Sequence, residues 1–182
     1  MKKYSKGQIA KNILKALLIG GVAVTVIALP GMAQVLRLFL PNDKKYKQRI
    51  KRSLNGLHKQ KFVRIYKKNG KEIVEITENG KKELLSYQFD EMKIDKSKKW
   101  DGMWRVVIFD VPEKRKQSRD LLNFKLKEMG FYPIQKSTFI LPYECKKEIE
   151  FIGEYLFLGE KIKYLLVKEI SEEGILKKHF NL

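Results

Sequence analysis

The hydrophobic period of the chain changes near residue 60, and this change limits the folds that the first half can adopt. From Lys44 onward, apolar residues recur every three or four positions, which predicts an amphipathic helix. The stretch FVRIYKKNGKEIVEIT then forms two strand-like runs around Asn69-Gly70, a dipeptide typical of a tight hairpin turn. A helix that is followed directly by a β-hairpin is therefore predicted for residues 44–77.

The predicted helix has two unlike faces. One face is apolar and consists of Tyr46, Ile50, Leu54 and Leu57. The opposite face carries long hydrogen-bond donors and no acid, namely Gln48, Arg52, Asn55 and Lys59, with Lys45 beside it. A polar face of this kind suits the major groove of DNA, where Arg pairs with guanine and Asn or Gln pairs with adenine.

Basic residues crowd both the helix and the hairpin. Residues 44–71 contain twelve Lys and Arg but no Asp or Glu, and the whole chain has a formal charge of +18. Because such a block repels itself unless a polyanion offsets it, nucleic-acid binding is favoured over a merely solvated charged surface. The predicted base contacts are Gln48, Arg49, Arg52 and Asn55. The predicted phosphate contacts are Lys44, Lys45, Lys47, Lys51, Lys59, Lys67, Lys68 and Lys71.

The N-terminal stretch MKKYSKGQIAKNILKALLIGGVAVTVIALPGMAQ allows three interpretations. We favour two buried helices, the first with Ser5 and Gln8 as a capping box. A membrane anchor through Ala16–Ala33 and a cleaved export signal are the alternatives. The buried face of the first helix would consist of Ile9, Ile13, Leu14 and Leu17. The single cysteine, Cys145, excludes an intrachain disulfide and fits a cytoplasmic protein.

The second half follows a different pattern, after a polar linker at residues 88–97. Strand-like runs (MWRVVIFDV, FYPIQ, STFILP, IKYLLVKEI) alternate with helical segments at residues 113–129 and in KKEIEFIGEYLFL. This β-α-β-β-α-β order predicts a ferredoxin-like domain. We therefore expect an α+β protein with a winged helix-turn-helix at residues 1–87 and a ferredoxin-like domain with a C-terminal tail at residues 98–182.

Two segments of the second half carry a family resemblance. KWDGMWRVVIFDVPEKRKQSRDLL and GFYPIQKSTFILP resemble the central domain of PaaX-like transcriptional regulators, which is similar to the CRISPR-associated Cas-two nuclease family. The resemblance rests on the Trp100/Trp104 pair, on Asp110 at the strand end, and on the spacing of Gly130, Gln135, Ser137 and Phe139. It implies a homodimeric repressor that binds duplex DNA, with no effector that the sequence can name.

Asp110 leaves two interpretations open. In the Cas-two family the aspartate at the end of the first strand is the proposed metal ligand, so Asp110 would be the catalytic and metal-binding residue of a nuclease that uses Mg²⁺ or Mn²⁺ at a dimer interface. We favour a structural role, in which Asp110 accepts turn N–H groups and pairs with Arg115 or Arg119. We therefore expect a DNA-binding regulator without a cofactor, and a metal-dependent nuclease is the alternative.

Overall fold

The computed structural model describes residues 6–19, 24–26, 44–69, 71–96 and 99–182. The chain divides into two compact units, Met1–Asp90 and Glu91–Leu182. Each unit has its own sheet, so the two are described separately.

The first unit combines helices with a small antiparallel sheet. Its elements are α1 (Lys6–Ile19), β1 (Val24–Val26), α2 (Lys44–Lys59), β2 (Val63–Lys68), β3 (Lys71–Ile76) and α3 (Glu78–Glu91). The strand order is β1-β3-β2. Strands β2 and β3 form a continuous ladder that ends at the Lys68–Lys71 pair. Asn69 has a φ of 53°, as the first position of a two-residue type I′ turn requires. The predicted helix and hairpin are confirmed.

The core of the first unit is built from the predicted apolar faces. Its buried members are Ile9, Ile13, Leu14 and Leu17 of α1, Ile50, Leu54 and Leu57 of α2, Val63 and Val74 of the hairpin, and Leu84 of α3. The side chain of Tyr46, the remaining predicted member of the α2 face, lies outside the described part of the chain. The face predicted for the first helix is confirmed, and so are the three described positions of the α2 face.

The second predicted N-terminal helix is wrong where the structure describes it. Val24–Val26 is a strand whose residues pair antiparallel with β3, from Val24 opposite Val74 to Val26 opposite Glu72. Three consecutive β-branched residues favour extended backbone, and the free edge of β3 supplies their hydrogen-bond partners. Within the described ranges, no helix is long and apolar enough to cross a membrane. Much of the candidate span Ala16–Ala33, including the stretch after Val26, lies outside those ranges.

Thr77 joins the start of α3 to the turn between α2 and β2. Its hydroxyl accepts a hydrogen bond from the Gly80 N–H at 3.1 Å, which makes Thr77 the N-cap of α3. The same hydroxyl donates to the Lys61 carbonyl at 2.6 Å, and the Thr77 N–H donates to the Phe62 carbonyl at 3.0 Å. Helix α3 then continues to Glu91, beyond the start of the predicted linker.

The second unit contains a four-stranded antiparallel sheet. Its elements are β4 (Trp104–Phe109), α4 (Lys116–Glu128), β5 (Tyr132–Gln135), β6 (Thr138–Leu141), α5 (Lys146–Tyr155), β7 (Ile162–Val167) and α6 (Glu173–Phe180), with short 3-10 turns at Glu113–Arg115 and Gly159–Lys161. The strand order is β5-β6-β4-β7. This β-α-β-β-α-β order, with all neighbouring strands antiparallel, matches the predicted ferredoxin-like arrangement.

The central strand β4 buries side chains on both faces of this sheet. Val107 and Phe109 point to one face, and Trp104 and Val106 point to the other, because successive side chains alternate along a strand. Leu176 of α6 packs into the cluster around Trp104 and Val106. The C-terminal tail therefore folds back onto the sheet.

Candidate nucleic-acid interface

The face of α2 that is opposite its buried residues is open to solvent. Ile50, Leu54 and Leu57 have relative exposures of 7%, 4% and 2%, so the helix is anchored along one side. The exposed side chains are Lys45, Gln48, Lys51, Arg52, Asn55, His58 and Lys59. The exposed face contains no carboxylate, because α2 as a whole has no Asp or Glu. Helical spacing and packing together therefore produce a cationic surface rich in hydrogen-bond donors.

The predicted contact residues divide into three groups in the structure. Gln48, Arg52 and Asn55 are exposed, whereas Arg49 is half-buried and interacts with other residues of the protein. The phosphate candidates Lys45, Lys51, Lys59, Lys67 and Lys68 are exposed. The side chains of Lys44, Lys47 and Lys71 lie outside the described part of the chain. Whether any of these residues contacts DNA stays a prediction.

The outer face of the hairpin adds two residues that the sequence-based prediction missed. Arg64 and Tyr66 alternate with core residues along β2 and are exposed, with the Arg64 guanidinium 5.9 Å from the centre of the Tyr66 ring. Arg64 also pairs with Glu75 on β3 at 2.8 Å, which neutralises that carboxylate. The strand alternation of the sequence FVRIYKK already contained this signal, since every second residue of a half-buried strand faces solvent.

Asp110 follows the last residue of β4 and is exposed. Its backbone N–H donates to the Lys161 carbonyl at 3.0 Å, which joins the ends of β4 and the segment before β7. The predicted pairing of its carboxylate with arginine is wrong. Among the contacts of the described residues, Arg119 pairs with Glu113 at 2.8 Å and Arg115 donates to the Phe157 carbonyl. Glu113, in the turn before α4, lies closer to Arg119 and takes the pairing role.

A metal-binding or catalytic role for Asp110 stays a prediction. Over the ranges that the structure describes, no three His, Cys, Asp or Glu side chains are grouped so as to hold a metal ion. In the dimeric arrangement that the family resemblance implies, the second carboxylate would come from another copy of the chain.

A buried arginine organises the opposite end of β4. The Arg105 side chain is only 6% exposed, and its guanidinium contacts both carboxylate oxygens of Asp101 at 2.6 Å. It also donates to the carbonyls of Met103 and Pro142, and it lies 3.4 Å from the Glu144 carboxylate. The hydrogen bonds from Arg105 hold the pKa of Asp101 down at about 2. Apart from the Arg105 Nε, which is buried without a hydrogen-bond partner among the described residues, the guanidinium is engaged in internal contacts, so we assign the cluster to stability.

The Asp101→Asn variant should lose the part of this stability that depends on pH. The pKa of Asp101 is about 2 in the folded protein, below its ordinary value of 3.8, so the ion pair stabilises the fold above about pH 4 and is lost as pH falls towards 2. We expect Asp101→Asn to lower the free energy of unfolding by about 1 kcal/mol at pH 7, and the difference from wild type to vanish near pH 2.

Urea unfolding followed by tryptophan fluorescence measures this effect, because Trp100 and Trp104 both lie in the second unit. Asp110→Asn is the matched control, since it changes an exposed carboxylate at the other end of β4 and should leave the unfolding free energy unchanged. A pH-independent difference between Asp101→Asn and wild type would contradict the assignment.

Cys145 is buried between the sheet and the start of α5 and is unsuited to nucleophilic chemistry. Burial raises the pKa of its thiol to about 12, and the nearby carboxylates of Glu144 and Glu148 act in the same direction. Because the thiolate is the reactive form, the side chain is inert at neutral pH.

Comparison with known proteins finds a similarity in the second unit. A search of curated proteins found no match to the chain. Residues 97–174 match the family model of the PaaX protein central Cas2-like domain. This range contains the whole four-stranded sheet, α4 and α5, and it includes both tryptophans and Asp110. Residues 97–174 are therefore similar to the central Cas2-like domain of PaaX proteins, and this similarity covers the sheet of the second unit and its two flanking helices.

Proposed function

We propose that this protein is a transcriptional repressor that binds duplex DNA as a homodimer through α2 and the β2–β3 hairpin. The observation that carries the proposal is the exposed face of α2, which has cationic and amide side chains and no acid, and which is backed by a buried apolar face. The match of residues 97–174 to the central Cas2-like domain of PaaX proteins supports a role in transcription. The arrangement suits a helix that lies in the major groove.

The order of elements in the first unit supports a winged helix-turn-helix. A helix, a short strand, the basic helix and a hairpin follow one another, and the first strand pairs with the second strand of the hairpin in the order β1-β3-β2. In this proposal α2 is the recognition helix, and the hairpin is the wing that contacts phosphates beside the groove. Residues 27–43, where the first helix of the helix-turn-helix would lie, fall outside the described ranges.

The proposed contacts follow side-chain exposure. Gln48, Arg52 and Asn55 are exposed on one face of α2 and would read base edges, whereas half-buried Arg49 has less of its side chain available. Lys67 and Lys68 at the end of β2 would contact phosphates from the wing. Arg64 and Tyr66 extend the same outer surface of the hairpin.

A binding selection from a random duplex library tests both specificity and symmetry. A homodimer places two copies of α2 in successive major grooves, so the selected sequence should be an inverted repeat with half-sites about one helical turn apart. Recovery of a single asymmetric site would contradict the dimeric part of the proposal. A library without any enriched sequence would contradict specific binding.

The salt dependence of binding should be steep. For each phosphate that the protein neutralises, the slope of log affinity against log salt concentration is about −0.9. Replacing Lys67 and Lys68 together by Gln should therefore make the slope shallower by about 3.6, because each of the two protomers loses two phosphate contacts. Fluorescence anisotropy of the selected duplex at several salt concentrations measures the slope. Lys147→Gln on α5 is the control and should leave it unchanged, whereas a flat response of the wild-type protein would argue against duplex binding.

A further inference from the structure

An open groove runs along the second unit between the outward side of α4 and the edge strand β5. It has a volume of about 780 Å³, and the buried ring of Phe139 contributes to its lining. Small-molecule and nucleotide sites commonly have volumes of about 300–1,000 Å³. The groove belongs to neither the α2 surface nor the Asp110 region, so the proposed function does not account for it.

The charge of the groove favours an anion. Three basic side chains line it, Arg119, Lys127 and Lys136, against the single carboxylate of Asp120. The charge of Arg119 is partly offset by Glu113 at 2.8 Å. Lys127 and Lys136 make no ion pair within the described part of the chain. Two cations therefore remain available to a negatively charged ligand at this surface.

An exposed aromatic ring stands beside these lysines. Phe124 is 64% exposed, whereas Leu122 and Leu126 of the same helix are buried. Lys127 is three residues further along α4, so both side chains lie on the same side of the helix. An aromatic ring flanked by cations is the arrangement that proteins use to stack a nucleobase while they neutralise its phosphate.

Hydrogen-bonding groups complete the lining. Gln135 and Ser137 flank Lys136 at the β5–β6 turn, and their side chains make no hydrogen bond among the contacts of the described residues. The Asn123 amide donates to the Arg119 carbonyl at 3.1 Å, which leaves its oxygen as an acceptor. These groups could meet the edge of a base that lies against Phe124.

We propose that this groove binds a nucleotide, with its base stacked on Phe124 and its phosphate held by Lys127 and Lys136. A nucleotide within a single strand fits this arrangement better than one in a duplex, because a paired base is already stacked on its neighbours. An acidic peptide would share the charge but would leave the base-edge groups unused.

The test uses the full-length protein labelled with ¹⁵N, titrated separately with a thymidine trinucleotide, a uridine trinucleotide and uridine monophosphate. Backbone amide shifts should concentrate at residues 119–127 and 133–139. Phe124→Ala should weaken binding about tenfold, within the range found for removal of one stacking ring. Replacing Lys127 and Lys136 together by Gln should make the salt slope shallower by about 0.7, since the two lysines hold one phosphate and each single-strand phosphate contributes about 0.7.

Matched controls separate this groove from the duplex-binding surface. Phe157→Ala removes another ring, 82% exposed, from the same unit and should leave nucleotide binding unchanged. A protein with Arg52→Gln and Lys59→Gln on α2 should lose duplex binding. Its backbone amides at residues 119–127 and 133–139 should still shift when the nucleotides are added. Tighter binding of a trinucleotide than of uridine monophosphate identifies a single strand as the ligand, and equal binding identifies a free nucleotide.

Three results would overturn the proposal. Shifts confined to α2 and the hairpin would assign all nucleotide binding to the first unit. Wild-type affinity in Phe124→Ala would remove the stacking contact on which the argument depends. The wild-type protein could show no backbone amide shifts at the groove residues, while Phe124→Ala has a lower oligomeric mass than wild type. This pair of results would show that a second copy of the chain covers the groove.

Discussion

Duplex binding should weaken about a thousandfold or more when Arg52 and Lys59 are replaced by Gln and Asn55 is replaced by Ala. Arg52 and Asn55 are the exposed α2 residues best suited to guanine and adenine, and a good base contact contributes about 1–3 kcal/mol. Lys59 adds a phosphate contact. A loss of about 4 kcal/mol at each half-site corresponds to a factor of about a thousand for that half-site, so affinity for the intact inverted repeat should fall by at least this factor.

The design of this experiment depends on the burial of the opposite helix face. All three side chains are exposed, whereas Ile50, Leu54 and Leu57 hold α2 in the core, so the variant should fold with an unchanged melting temperature. Anisotropy with the selected duplex measures affinity, and circular dichroism checks the fold.

The control variant removes two exposed charges elsewhere, Lys147→Gln and Lys168→Gln in the second unit. This control variant should bind the selected duplex with nearly the affinity of the wild-type protein. Equal affinity of the α2 variant and the wild type would show that α2 is not the recognition helix.

Gly80→Ala should lower the free energy of unfolding of the first unit by about 3 kcal/mol. A Cβ atom at this position would lie 2.1 Å from the Phe62 carbonyl oxygen and 2.8 Å from the Ile76 side chain. The carbonyl cannot move away freely, because it accepts the Thr77 N–H at 3.0 Å. The substitution must therefore separate α3 from the turn between α2 and β2.

Gly56→Ala is the matched control for this prediction. Nothing lies within 4 Å of a Cβ atom at Gly56, which is in the interior of α2. Because Ala is the better helix former, this variant should be stabilised by about 1 kcal/mol. The same Gly→Ala change should therefore lower the free energy of unfolding at position 80 and raise it at position 56.

Urea unfolding with two probes distinguishes the units. Circular dichroism follows the whole chain, whereas tryptophan fluorescence follows only the second unit, which contains both Trp100 and Trp104. Gly80→Ala should shift the circular dichroism transition and leave the fluorescence transition in place. An unchanged circular dichroism transition would mean that the close approach at Phe62 is not required for stability. Because the same turn positions the hairpin relative to α2, Gly80→Ala should also reduce duplex binding.

Local patterns were sufficient to predict α2 and the hairpin. The spacing of Ile50, Leu54 and Leu57 predicts one buried helical face, and Asn69 meets the backbone requirement of a two-residue turn. These features depend on residues a few positions apart, so the sequence contains their physical cause. The strand and helix order of the second unit was predictable for the same reason.

Other features depended on which neighbours the fold supplies. The β-branched residues at 24–26 lie within an apolar stretch that we interpreted as a helix, and pairing with β3 makes them a strand. Arg119 has several carboxylates nearby along the chain, and the structure pairs it with Glu113 at 2.8 Å and with Asp120 at 4.0 Å. In both cases the partner that the fold supplies decides between the alternatives.

By itself, the sequence determined the cationic surface of α2, because charge and helical period together decide which side chains share a face. Only the tertiary structure decided that Phe124, Lys127, Gln135 and Lys136 line one groove. These residues come from a helix, an edge strand and a turn, and packing of α4 beside β5 brings them together. Surfaces built within one element can be predicted from sequence, whereas surfaces shared between elements depend on long-range packing that no local pattern encodes.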